Sequence, residues 1–349
     1  MFKILVSAIT LISLCFTTQV YALNSEDLSA ECAVLMNAHT GEVLFGKNEH
    51  KQRSMASTTK IMTTLLAVES GMLQNEITVT EDMIMVEGTS MGLLVDDTVS
   101  LDELVHGMLL QSGNDAANAA AVYLGGTMDD FVDLMNHRAV QLGMKNTHFE
   151  TPSGLDGKSH YSTAYDMALL GIEAVRNPKF LSVCSKLNAT LTYGNPPYSR
   201  KLYNHNKLLG MYDYVYGIKT GFTKKSGRCL VSYAVKDGVG LVAVTLNDPN
   251  DWDDHKKLYD YGFGAIKSEV LIPEIPDKIC VVGSEKDTIG IVSENYVTTA
   301  GIDKISYIVY LPPFVYAPVQ KGDIIGRWDV FVDGVKVDSL SIIAENSVN

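Results

Sequence analysis

The sequence predicts a mixed α/β (α+β) domain, an antiparallel sheet flanked by helices, followed by a small all-β domain. Apolar hairpin patterns stand at both ends of a stretch dominated by helical periodicity. After Pro273 and Pro276 the period switches to short strands alone. The chain has 349 residues, 46% of them hydrophobic and 20% charged, enough to bury a sizeable core and, as a prior, long enough for two domains beyond a targeting segment. The expected division is 1–22, 23–267 and 268–349.

Residues 1–22 read as an address. Lys3 precedes the apolar stretch 4–16, and Val20-Tyr21-Ala22 suits a signal peptidase, so export with cleavage after Ala22 is expected. The apolar run falls short of the roughly 20 residues that span a bilayer. Cys15 follows the bulky Leu14, which argues against lipidation.

A hairpin is expected over 32–46, turning at Asn37–Gly41. Ile61, Met62, Leu65, Leu66 and Val68 recur at helical spacing between Thr58 and Ser70. Ser100-Leu101-Asp102-Glu103 is a capping box for the next helix. Thr127 and Asp130 open another, closed by Gly143, and a further one runs from about Thr163 to Asn177, stopped by Pro178. Asp237-Gly238 joins the strands Leu230–Ala234 and Leu241–Leu246. A helix is expected at 256–266, then strands at 279–282, 289–292, 305–311 and 328–332, with a turn at Asp333-Gly334.

A net charge of −13 excludes nucleic acid as a natural partner, because phosphate neutralisation needs basic surface. Cys32, Cys184, Cys229 and Cys280 are too widely spaced for a metal knuckle and read as buried free thiols. His39, His50 and His255 show no metal spacing and are expected at the surface. Asp251, Asp253 and Asp254 around Trp252 read as a solvated acidic turn. Met83, Met85 and Met91 read as packing residues, and His160 with Tyr161 as a cap or packing pair. No metal or cofactor motif is found.

Three short motifs stand in order: Ser57-Thr58-Thr59-Lys60, Ser112-Gly113-Asn114 and Lys219-Thr220-Gly221. Each alone is weak, as the decoys Ser293-Glu294-Asn295 and Lys225-Ser226-Gly227 demonstrate. Context selects the set: Ser57 begins a helix, Ser112 follows one, and Lys219 adjoins a hairpin. A serine hydroxyl needs a base to become a nucleophile. Three residues apart on a helix, Lys60 can reach Ser57. Burial and a neighbouring cation such as Lys219 would lower the lysine's pKa to make it that base.

The combination is that of penicillin-binding proteins and serine β-lactamases. The segment Arg53–Thr63 resembles the active-site stretch of low-molecular-weight D-alanyl-D-alanine carboxypeptidases. So do Gly88–Gly92, Leu110–Ala117, Pro152–Asp156 with His160–Thr163, and Gly217–Thr223. The resemblance extends over 30–265, and the trailing β domain is similar to the family's C-terminal module. It implies a β-lactamase/transpeptidase-like fold in which Ser57 is acylated, Lys60 is its base, and Ser112 relays a proton to the leaving D-alanine. It also implies that Asn114 holds the substrate amide and that Lys219 and Thr220 orient the terminal carboxylate. The N–H groups of Ser57 and Phe222 would form the oxyanion hole, and the strand through Gly221, Phe222 and Thr223 would pair with the extended peptide. The implied partners are peptidoglycan pentapeptides ending in D-Ala-D-Ala, and β-lactams as covalent inhibitors. Tyr216 departs from the Asp common before Gly-x-Lys-Thr-Gly. No amphipathic membrane anchor is expected after Asn349.

Two rivals remain. A serine β-lactamase shares the acylation, but Glu173-Ala174-Val175-Arg176-Asn177 lacks the expected E-x-x-L-N form. A silent peptidoglycan-binding module would not need all three motifs intact.

Overall fold

The computed structural model describes residues 23–266, 268–299, 305–332 and 334–349. The expected signal segment, residue 267 and Asp333 of the last turn lie outside them.

The chain opens with a hairpin, β1 (Cys32–Asn37) and β2 (Val43–Lys47), then a 3₁₀ turn (Ala56–Thr59) leading into α1 (Lys60–Glu69). β3 (Glu76–Thr78), α2 (Glu81–Ile84) and β4 (Thr98–Ser100) precede α3 (Leu101–His106), which runs on as a π turn, Gly107–Gln111. Next come α4 (Asn114–Gly125), α5 (Met128–Gln141), α6 (Ala164–Arg176) and α7 (Pro178–Cys184). A hairpin of β5 (Asn188–Gly194) and β6 (Pro197–Tyr203) and the short α8 (Leu208–Met211) lead to β7 (Val215–Thr223), β8 (Gly227–Lys236), β9 (Val239–Leu246) and α9 (Asp251–Ala265). The C-terminal strands are β10 (Ser268–Leu271), β11 (Lys278–Val282), β12 (Thr288–Ser293), β13 (Tyr296–Thr299), β14 (Ile305–Tyr310), β15 (Phe314–Tyr316), β16 (Ile324–Val332) and β17 (Val335–Ala344).

The fold is the expected α+β class. Five antiparallel strands order as β2-β1-β9-β8-β7. Alternate residues of β1 serve two cores: Cys32, Val34 and Met36 face the helices α1 and α3–α7, while Ala33 and Leu35 face α9. Both faces are covered, which is why β1 is buried throughout. Six of the C-terminal strands form a separate sheet, ordered β14-β16-β17-β12-β11-β15, around Trp328, Val330 and Ile342, while β10 and β13 pair with each other.

Several elements differ from the sequence reading for identifiable reasons. α4 was not anticipated: its first eight residues are all buried, so an Ala-rich helix shows no amphipathic period. Pro178 ends α6 but also opens α7, with Asn177 Oδ1 accepting from the N–H groups of Lys179 and Phe180. α9 starts at Asp251, so the acidic group is a helical first turn and no solvated loop. Asp254 is buried and accepts from the N–H groups of Ser29 (2.5 Å) and Ala30 (3.0 Å). His255 is also buried, bonded to Ser232 and Thr245. Partly buried His39 bonds Tyr296 of β13. Cys280 is exposed, whereas the other three described cysteines are buried. Met85 is exposed and Met83 and Met91 are packed.

Candidate active site

The three motifs converge from separate elements. Ser57 lies in the 3₁₀ turn that opens α1, a turn entered through Ala56 in the left-handed region (φ 48°). Such backbone in a residue with a Cβ is strained and persists only where its surroundings enforce it. The enforcement is visible on two sides. A Cβ on Gly221 of β7 would stand 3.0 Å from Ser57 N, and one on Gly154 would stand 2.0 Å from Ala56 O. Gly154 therefore requires glycine, and Gly221 leaves only a few tenths of an ångström for any side chain.

Lys60 is fully buried; its Nζ donates to Asn114 Oδ1 (2.6 Å) and the Ser153 carbonyl (2.6 Å) and lies 3.1 Å from Ser57 Oγ, so that with those two N–H groups spent the lone pair of the neutral amine faces the serine hydroxyl. Burial pushes the amine well below the ordinary lysine range, Lys219 pushes it further, and Asp115 pulls back. Lys219 is buried too, donates to the Thr220 carbonyl (2.9 Å), and is lowered by burial to about 7. The site thus favours a neutral amine beside a serine hydroxyl, the arrangement that activates an oxygen nucleophile.

Ser112 follows the π turn in a left-handed conformation (φ 60°, ψ 30°), its carbonyl accepting from Thr89 Oγ1 at 2.6 Å. Asn114 opens α4; its Nδ2 donates to the Glu87 carbonyl (2.6 Å) while its Oδ1 accepts from Lys60 Nζ (2.6 Å). Its amide is engaged at both ends by these two bonds, and Nδ2 carries a second hydrogen besides the one given to Glu87. Asp115 gathers the covering segment, accepting from the N–H groups of Met91 (2.9 Å), Gly92 (3.0 Å) and Leu93 (3.1 Å) and from Ser90 Oγ (2.6 Å).

Ser57, Ser112, Thr220, Gly221 and Phe222 line a cleft of about 330 Å³, whose wall also includes Thr89, His205, Lys207, Arg228, Asp251 and Trp252. Lys60, Asn114 and Lys219 lie buried beside it. Thr223 is not part of this lining: its N–H and hydroxyl bond Ser226 in the β7–β8 turn. The tempting Glu173 sits in α6, held by Arg138 at 2.7 Å, away from the cleft. A larger cleft of about 460 Å³ between His39, Arg176, Tyr296 and Asp338 contains none of the three motifs.

Arg228 went unnoticed in the sequence because it belongs to no motif. Hairpin register places it opposite Phe222. Its Nη2 lies 2.6 Å from Asp251 Oδ1, its guanidinium is 5.2 Å from the Trp252 ring, and its Nε has no hydrogen-bond partner among the described residues. Among those residues, no group of three His, Cys, Asp or Glu side chains is arranged to hold a metal. No helix among them is long and apolar enough to cross a membrane.

The family model for D-alanyl-D-alanine carboxypeptidase (peptidase S11) matches residues 18–250. The chain is 30% identical to D-alanyl-D-alanine carboxypeptidase DacF of Bacillus subtilis, over 91% of this chain and 84% of that protein. It is 31% identical to DacC of Escherichia coli, over 92% and 84%. Among solved structures it resembles penicillin binding protein 5 from Haemophilus influenzae, with TM-score 0.66 and 28% identity over 94% of this chain and all of that one. A Streptomyces K15 DD-transpeptidase mutant matches with TM-score 0.65 and 29% identity, over 68% of this chain and 98% of its own. With the family model covering residues 18–250 and relatives aligning along most of its length, the chain belongs to the D-alanyl-D-alanine carboxypeptidase family.

Proposed function

We propose that the protein removes the terminal D-alanine from peptidoglycan stem peptides through an acyl-enzyme on Ser57. The observation that carries this reading is the buried Lys60 amine 3.1 Å from Ser57 Oγ, held low in pKa by burial and by Lys219. Ser57 Oγ attacks the carbonyl of the penultimate D-alanine while its proton passes to Lys60 Nζ. The N–H groups of Ser57 and Phe222 stabilise the oxyanion. The C–N bond then breaks, the proton moves by way of Ser112 to the leaving amine, and D-alanine departs. Water attacks the ester, its proton returning through Lys60, and Ser57 is regenerated. The β-lactam carbonyl would follow the same first step. Thr220 and Lys219 orient the terminal carboxylate, and Arg228 supplies a permanent cation on the cleft wall. We assign this chemistry to 23–267, with 268–349 as an accessory unit outside the cell membrane.

Intact-mass spectrometry after brief incubation with benzylpenicillin, with peptide mapping, tests the reading. A stable adduct on Ser57, absent in Ser57→Ala, together with release of D-alanine from a peptide ending in D-Ala-D-Ala, is expected. Rapid drug loss without an adduct would indicate a β-lactamase. Neither adduct, drug loss nor D-alanine release would indicate a silent binding protein.

A further inference from the structure

The segment 148–162 grips the nucleophile turn along its whole length. Ser54 Oγ donates to Asp156 Oδ1 (2.6 Å), Thr63 Oγ1 to the Pro152 carbonyl (2.7 Å), and Lys60 Nζ to the Ser153 carbonyl (2.6 Å). Arg53 and Ser162 exchange backbone hydrogen bonds (2.8 and 2.9 Å). Inside this wrap lies His160, buried, with Nε2 2.8 Å from Thr59 Oγ1 and Nδ1 accepting from the Glu150 N–H at 2.9 Å. The Glu150 bond fixes the tautomer: Nδ1 must carry a lone pair, so Nε2–H donates to Thr59.

We infer that His160 is a positioning residue for acylation, pinning the segment that bears Ser153 to the turn that bears Ser57 and Lys60. This rests on the function proposed above. The imidazole touches neither the cleft nor Ser57; it acts through Thr59, the residue next to Lys60. Without the pin, the Ser153 carbonyl and Gly154 loosen from Lys60 and Ala56, and water reaches the buried amine. Burial is the largest cause of the amine's low pKa, so water entry raises it and leaves less neutral base at a given pH. The charged groups acting on Lys60 are Lys219 and Asp115. Those acting on His160 are Glu150, Asp156, His148 and Lys225, and burial outweighs them, holding the ring neutral with a pKa of about 4.

The test is the second-order rate of Ser57 labelling by a fluorescent penicillin on the whole protein, followed from pH 5 to 10. His160→Ala is expected to slow labelling at least tenfold at pH 7 and to move the acid limb of the profile to higher pH. His160→Gln, whose amide can donate to Thr59, should recover most of the rate and return the limb. A role confined to stability would lower the melting temperature without moving the limb, and that outcome overturns the inference. If His160→Ala does not fold, Thr59→Val removes the acceptor hydroxyl alone, and the same slowing and limb shift are expected of it. Normal wild-type labelling with unchanged rate and limb in the folded variants would overturn this inference alone. Absence of wild-type labelling would overturn the proposed function and this inference with it.

Discussion

Gly154→Ala is expected to damage the nucleophile turn from behind. Gly154 has φ 84°, and an added Cβ would stand 2.0 Å from Ala56 O, 2.6 Å from Ala56 C and 2.9 Å from Thr59 Oγ1. Left-handed backbone costs a residue with a Cβ ~1–2 kcal/mol, and overpacking adds ~1–3 kcal/mol. The nearest atoms are backbone, and Ala56 is already at φ 48°, so relief must come from moving the turn. A net loss of ~3 kcal/mol lowers the melting temperature by roughly 6–12 °C for a domain of this size. Gly143→Ala is the internal control, because Gly143 has φ 75° with nothing within 4 Å of its added Cβ. It isolates the conformational cost. Thermal unfolding and penicillin labelling of both variants are the assay. If Gly154→Ala were no less stable than Gly143→Ala and labelled at the wild-type rate, the close brace behind Ser57 would be refuted.

Three further outcomes follow from the charges. Burial holds His160 at about 4 and His255 at about 3; the unfolded chain takes up protons first, so their stabilisation is complete above pH 6.5 and is lost as pH falls toward those values. For His160 this amounts to ~2 kcal/mol between pH 7 and 5; urea unfolding at both values should show the loss, and His160→Gln should reduce the pH slope. Lys219→Gln removes a cation that depresses Lys60, so the acid limb of Ser57 labelling should move to higher pH; an unmoved limb would show that Lys219 does not tune the base. Arg228→Leu deletes a charge-assisted hydrogen bond of ~1.5–3 kcal/mol, so kcat/KM for D-alanine release should drop about 10–100-fold for peptides with a free carboxylate. Amide-capped analogues should be indifferent to the change, and an equal loss for both would remove Arg228 from carboxylate recognition.

The motif serines and lysines were legible because their chemistry depends on local spacing. Ser57 and Lys60 meet across one turn, and the expected helix differs from the observed 3₁₀ entry only in how that turn is wound. What escaped depends on tertiary register. The Ser153 carbonyl reaches Lys60 across 93 residues, and a backbone acceptor leaves no mark in a sequence. Arg228 becomes visible only once β7 and β8 are paired, since Phe222 opposite it belongs to the motif strand and Arg228 does not. Asp254 and His255 looked solvent-facing because charged residues usually are; their burial is supported by Ser29, Ala30 and Ser232, partners distant in sequence.

Sheet order adds a constraint on how substrate enters. Among the described residues β7 is an edge strand, paired with β8 alone, and an open edge is ordinarily a liability for aggregation. Here the edge runs directly past Ser57, with Gly221 keeping the two backbones close and Phe222 exposed beside the cleft. A substrate adding as a sixth strand would use the free backbone groups of β7 for affinity and its own extension for register. Under the proposed function, register would then fix which carbonyl meets Ser57, and specificity for the penultimate residue would follow from strand pairing together with Arg228 on the cleft wall. N-methylation of a substrate amide that pairs with β7 should therefore lower kcat/KM by roughly tenfold, the loss of one hydrogen bond of about 1 kcal/mol plus the clash of the added methyl. If every backbone N–H of the peptide could be methylated in turn without loss, recognition would have to rest on the carboxylate alone, and the open edge of β7 would need a different explanation.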